Sequence, residues 1–250
     1  MSDSVAAYED VRQRITALVR EAGPEDLDRQ VPACPDWCVK DLVGHLEHVT
    51  EEYAEGRHEY STTDAAEWAT AWGQDRPGVD DWANTGVAAR RNWSTQTLLT
   101  EWEHRCGRLY EMMRGELELP TGTSHEFLAR GTVYDAATHY QDIRGALELG
   151  ADPDTYATKL AYTGYTFLLV QRTAALRPQP PALRVRTQRG EVLIGEGETT
   201  DLELDWFEFL RMISGRRSVE QVVKLLTPVD PEPYLDAFQM YPYPTKPLSV

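Results

Sequence analysis

"VYDAATHYQDIRGAL", from Val133 to Leu147, decides how this chain is read. Alanine, isoleucine and leucine along it suit a single helix, yet it also carries Asp135, His139 and Asp142. Residues three and four apart share a helix face, so Asp135 and His139 stack one turn apart and Asp142 follows on nearly the same side. Such a set can grip one ion; the plainer alternative is a solvated pair worth about a few tenths of a kcal/mol. The neighbours favour the ion. Leu128, Thr132, Asp135, His139 and Ala146 form one stripe, whereas Arg130, Gln141, Arg144 and Glu148 place charge and polarity elsewhere. A stripe with apolar ends points inward, and ionisable groups inside a bundle need pairing or metal coordination.

Working outward, this helix is predicted from about Glu126 to Leu149, ending at Gly150. Asp152 and Pro153 read as the cap and first position of a fifth helix running to about Leu176. Upstream, Tyr8, Val11, Ile15 and Leu18 mark a first helix that Gly23-Pro24 ends, and Val39, Leu42, Leu46 and Val49 a second, with Asp41 near its start. Ser94 caps a third, whose stripe is Leu98, Trp102, Cys106, Leu109 and Met113. Between the second and third, residues 58 to 92 are polar and irregular and read as a long connection packed by Trp68, Trp72 and Trp82, with Trp93 just beyond.

"RPQPP", Arg177 to Pro181, breaks the composition. Beyond it "LRVRT", "EVLIGEG" and "TTDLEL" read as short strands, "DWFEFLRMIS" and "SVEQVVKLL" as short helices, and the Pro- and Tyr-rich end as a tail along a surface. The expected class is therefore mainly α: a helical bundle over residues 1–176 carrying the metal site, then a small α/β domain over 182–250.

Forty-one acidic against 25 basic residues give a formal charge of −16, which repels nucleic-acid phosphates and anionic lipid, so neither is an expected partner. The first residues lack a basic start with an apolar run, and nothing approaches the roughly 20 apolar residues of a membrane span. Cys34, Cys38 and Cys106 are too few and too odd in number for a disulfide framework, which suits a reducing, cytoplasmic setting. The acidic surface favours a monomer or weak dimer.

A third metal ligand has to come from another helix. The second offers His45, beside Leu42, Leu46 and Val49, and His48, on the side of Asp41, Gly44 and Glu52; the core-facing His45 is the choice. A hydrogen-bonded core histidine is the alternative for that position.

"VPACPDWCVKDLVGHL", residues 31–46, resembles the signature that opens the mycothiol-dependent maleylpyruvate isomerase family, whose N-terminal domain is a DinB-like four-helix bundle. The acidic residue, three spacers, histidine, two spacers and aspartate of the opening stretch resemble that family's fourth-helix motif. The resemblance implies a divalent metal, expected to be zinc, held by His45, Asp135 and His139. "GEGETTDLELDWFEFLRMISGRRS" and "DPEPYLDAF" are similar to the small α/β domain behind the bundle, and the Gly-Arg match makes Arg216 the implied catalytic arginine. Asp135 stands where glutamate is commoner, which either draws the ion closer to its helix or changes the metal preference. Cys38 stands at the second helix's usual threonine cap, where a helix N-terminus can lower a thiol pKa and make a reactive cysteine conceivable.

The implied activity is that of a mycothiol-dependent isomerase or S-transferase: a metal-bound thiolate from mycothiol attacks a small electrophile, Arg216 binds a carboxylate or developing negative charge, and Asp142 orients a ligand or contacts mycothiol's sugar. Two other readings stay open, a metal-dependent hydrolase with Asp142 as base and a non-catalytic small-molecule-binding or stress-response protein of the same fold.

Overall fold

The computed structural model describes residues 2–56, 77–119 and 124–250. These form two compact units, one of residues up to Leu160 and one from Ala161 to Val250. The expectations for Trp68 and Trp72 lie outside the described residues.

The first unit opens with α1 (Ser2–Glu21) and the single turn α2 (Pro24–Leu27). A two-stranded antiparallel ribbon follows, β1 (Gln30–Val31) and β2 (Cys34–Cys38). It feeds α3 (Val39–Ala54), where Asp41 accepts a hydrogen bond from the Cys38 N–H at 3.3 Å and closes a capping box. Next come α4 (Pro77–Arg90), α5 (Thr95–Arg114) and α6 (His125–Ala146). Ser94 and Ser124 cap the last two by accepting from the amides of Thr97 and Phe127 at 3.0 and 3.3 Å.

Helices α1, α3, α5 and α6 pack on one another as a four-helix bundle. Their apolar stripes meet in a core that fully buries Val11, Ile15, Leu42, Leu46, Leu98, Trp102, Leu109 and Val133. Three of the helices are also tied by one polar knot. The Trp102 indole N–H donates to the Tyr8 hydroxyl and to Thr50 Oγ1, both at 3.0 Å, and Tyr8 and Thr50 bond each other at 2.8 Å.

The structure departs from the sequence expectation at four places. Residues 77–90, read as irregular connection, form α4, which packs on α3. The fifth helix, α7 (Tyr156–Ala175), starts later than Asp152-Pro153 suggests: Thr155 Oγ1 caps it by accepting from the Thr158 amide at 3.0 Å. Asp152 is taken instead by the Tyr140 hydroxyl at 2.8 Å and by Gln141, which bonds both its amide and its carbonyl. Gln141, assigned to an outer polar face, is consequently buried.

The second unit takes over α7 from Ala161 and adds a three-stranded sheet of β3 (Pro181–Thr187), β4 (Gly190–Ile194) and β5 (Glu196–Glu203). Their order is β4-β3-β5, with β4 antiparallel and β5 parallel to β3, so Val185 sits between Val192 and Leu202. Gly195 turns β4 into β5 at φ 76°, and a Cβ there would collide with the carbonyls of Pro180 and Pro181, so only glycine fits. Helices α8 (Trp206–Ile213) and α9 (Val219–Leu226) follow, capped by Asp205 and Ser218. The fourth departure is the tail: a 3₁₀ turn and α10 (Leu235–Phe238) bury Tyr234, Phe238 and Met240 in this unit's core, while Gln221 pins the Leu248 backbone at 2.8 and 3.0 Å. No helix among the described residues is long and apolar enough to cross a membrane.

Candidate metal centre

Helices α3 and α6 pack side by side, and each contributes to one cluster. His45 comes from α3, Asp135 and His139 from α6, and their ligand atoms all lie within 4.8 Å of one another. Asp135 Oδ1 stands 3.3 Å from His139 Nε2, and Oδ2 stands 3.6 Å from His45 Nε2. The two rings meet edge to face, with centroids 5.1 Å apart. Both histidines are buried, and the Asp135 side chain, 32% exposed as a whole, keeps its Oδ2 buried.

A second layer holds the rings in place. His139 Nδ1 bonds Asp142 Oδ2 at 3.0 Å, and Asp142 is itself buried. A histidine whose Nδ1 proton is given to a carboxylate presents Nε2 as the free lone pair, the tautomer a metal requires. The ribbon supplies two more neighbours. Trp37 lies against the His45 ring, centroids 4.8 Å apart, and is itself held by Asn84 of α4, which accepts from its indole N–H at 2.9 Å. Cys34 reaches the other side of His139, with its sulfur, a His139 nitrogen and an Asp142 oxygen mutually within 4.8 Å.

Electrostatics follow from this crowding. Burial works to lower the His139 pKa, but the Asp135 charge, aided by the ring's hydrogen bonds to Asp135, Asp142 and Cys34, holds it well above its ordinary value. Burial works to raise the Asp135 carboxyl, and the His139 and His45 rings outweigh it and hold it far below the carboxylate range. The metal-free cluster is thus a closed ion pair, and a cation entering it displaces a proton from His139. Cys38 behaves otherwise than its cap position suggests: burial, the largest influence, raises its thiol pKa, which removes the case for a reactive thiolate there.

The donor set fits a divalent ion of the zinc type. Two imidazoles and one carboxylate converge from two helices, and Asp135 Oδ2, 3.6 Å from His45 Nε2, is buried with no hydrogen-bond donor among the described residues. His45, Asp135, His139 and Asp142, each singled out in the sequence, are thereby brought together. Arg216 belongs to the second unit, where it is buried, donates from Nη1 to the Ser214 carbonyl at 2.7 Å and lies over the Tyr241 ring at 5.6 Å. Its neighbour Arg217 is bound through two 2.8 Å bonds to Glu208. Cys34 and Trp37 were missed as parts of the centre; their signal lay in the motif CPDWC itself, which holds both in one short strand ahead of the ligand helix.

Residues 8–144, more than half of the chain, match the family model described as the mycothiol maleylpyruvate isomerase N-terminal domain. Two solved structures are similar: the crystal structure of the mycothiol-dependent maleylpyruvate isomerase, with a TM-score of 0.54, and that of a histidine-to-alanine mutant of it, with 0.57. Each is 12% identical, with 86% of this chain and 89% of that chain covered, a likeness of fold. A search of curated proteins finds no match.

Proposed function

Because this chain belongs to the mycothiol maleylpyruvate isomerase N-terminal domain family, we propose that it is a metal-dependent enzyme that uses mycothiol to isomerise, or transfer the thiol onto, a small electrophile. The observation that carries the reading is the convergence of His45, Asp135 and His139 within 4.8 Å. These three residues would hold a divalent ion, which would supply Lewis acidity that favours the thiolate form of a thiol at neutral pH.

The chain's own groups have separable tasks. Asp135 would offset the charge of a bound cation, its carboxylate lying 3.3 Å from His139 Nε2 and 3.6 Å from His45 Nε2. Asp142 keeps the proton on His139 Nδ1 and so keeps Nε2 directed at the ligand position. Of the two roles open for Asp142, ligand orientation and sugar contact, its full burial favours the first. Trp37 covers His45 and keeps water off that ring. Arg216 is assigned the substrate's carboxylate or the negative charge that develops on it, as the family resemblance suggests.

The organic step needs no oxidant. Thiolate sulfur forms a bond to an electron-poor alkene carbon, and the alkene's π pair moves into the conjugated carbonyl. Rotation about the resulting single bond and return of the pair expel the thiolate, giving the isomer. Protonation at carbon instead keeps the adduct and gives the transferase outcome. The hydrolase reading loses support, because Asp142 is spent on His139 and is no free base.

Metal-reconstituted protein should consume or isomerise an electrophile such as maleylpyruvate only when mycothiol is present, with the product's mass separating isomer from adduct. His139→Ala should abolish turnover. Metal-loaded wild type that is inert with mycothiol across an electrophile panel would overturn the reading in favour of a binding protein.

A further inference from the structure

One turn beyond His45 on α3, a second group of donors faces α4. His48, Glu51 and Glu52 offer ligand atoms that all lie within 4.8 Å of one another. We propose that these three residues form a second cation site, distinct from the centre at His45 and taking a divalent transition metal of the zinc type. The proposal does not depend on the mycothiol chemistry.

The argument starts from His48. Its side chain is 8% exposed, and among the described residues neither Nδ1 nor Nε2 has a hydrogen-bond partner. A neutral imidazole carries one N–H and one lone pair, and native folds rarely bury both without a protein group, water or ion to meet them. Burial first, and the Arg90 cation second, pull its pKa down to about 4, so near neutrality the ring is uncharged with a lone pair to give.

The surroundings are arranged for that ring. Gly86 of α4 faces it so closely that a Cβ would run into the imidazole, which accounts for a glycine in the middle of a helix where alanine would be the better helix former. Trp82 of α4 lies against it, centroids 4.6 Å apart, and donates its indole N–H to Glu52 Oε2 at 3.3 Å, aiming that carboxylate. Glu51 is shared: Arg90 pairs with Oε2, and Arg105 reaches Oε1 at 3.1 Å. The same two arginines pair with the fully buried Glu47. One imidazole and two carboxylates are donors for zinc, manganese, iron or cobalt rather than for a thiophilic ion.

The full-length protein, stripped by chelator and dialysed against Co²⁺, tests this through stoichiometry and the visible absorption of bound cobalt. Wild type should take two equivalents. His48→Gln and Glu52→Gln should each lose one, and His45→Ala should lose the other and keep the one at His48. Glu52→Gln is the safeguard, since that side chain is only half-buried and its loss leaves the core intact. A single equivalent that survives in His45→Ala and disappears in Glu52→Gln would support this site while sinking the proposed function's metal centre. Unchanged stoichiometry in both His48→Gln and Glu52→Gln, or a single equivalent abolished by His45→Ala, would overturn the proposal.

Discussion

Asp142 shows how much depends on one buried carboxylate that touches no substrate. In Asp142→Asn the side chain keeps its shape but offers His139 Nδ1 a neutral acceptor in place of a carboxylate. Metal affinity should fall about 10- to 100-fold, as for other lost partners of metal-bound histidines, and competition with a chromogenic chelator would measure it. An unchanged affinity would mean that Asp142 packs rather than orients. His48 and His139 pull stability in opposite directions in the metal-free protein. The folded His48 pKa of about 4 lies below the ordinary 6.5, so its contribution is complete above 6.5 and is lost as pH falls toward 4. At 1.36 kcal/mol per unit this amounts to at most about 3 kcal/mol. The His139 pKa is raised, so its contribution is complete below 6.5 and is lost as pH climbs through the folded value. Urea midpoints of wild type and His48→Gln should therefore converge between pH 7 and pH 5, and a constant gap would contradict a buried neutral His48.

The helices show why parts of the centre could be read in advance and others not. Asp135 and His139 were legible because the period of a helix stacks residues four apart, and His45 because it sits in the apolar stripe of α3. His48 was not. Its neighbours Asp41, Gly44 and Glu52 suggested water, and what covers it is α4, whose proline, glycine and paired aspartates have poor helix propensity and read as loop. Packing against α3 overrides that propensity, and periodicity cannot reveal a cover that is itself unrecognised. Cys34 and Trp37 escaped for a related reason, since a ribbon of two and five residues is too short to show alternation. The knot joining α1, α3 and α5 gives a check on the bundle itself. Trp102→Phe removes the indole donor and leaves two buried hydroxyls to satisfy each other, costing about 1–3 kcal/mol. Chemical denaturation would read this, and a cost near zero would mean that the hydroxyl pair suffices.

For the molecule entire, a cation at His45, Asp135 and His139 binds only the folded chain, because the ligands come from helices some 90 residues apart in sequence. Free metal at about a hundred times the dissociation constant would add about 2.7 kcal/mol. Chelator should therefore lower the melting temperature of metal-loaded wild type and leave His45→Ala less affected; an equal drop in both would place the stabilising ion elsewhere. The second unit raises a different matter. Among the described residues its sheet ends in β5, a strand of eight residues exposed along nearly its whole length and hydrogen-bonded to β3 on one side. Glu196, Glu198, Asp201 and Glu203 put four carboxylates along it. An exposed strand is a template for another chain's strand, and like charges set side by side are what keep copies from adding on. Replacing Glu198 and Asp201 with threonine should thus leave melting nearly unchanged while promoting fibril growth, detectable by thioflavin fluorescence. The acidity of this segment, on that account, is insurance against polymerisation.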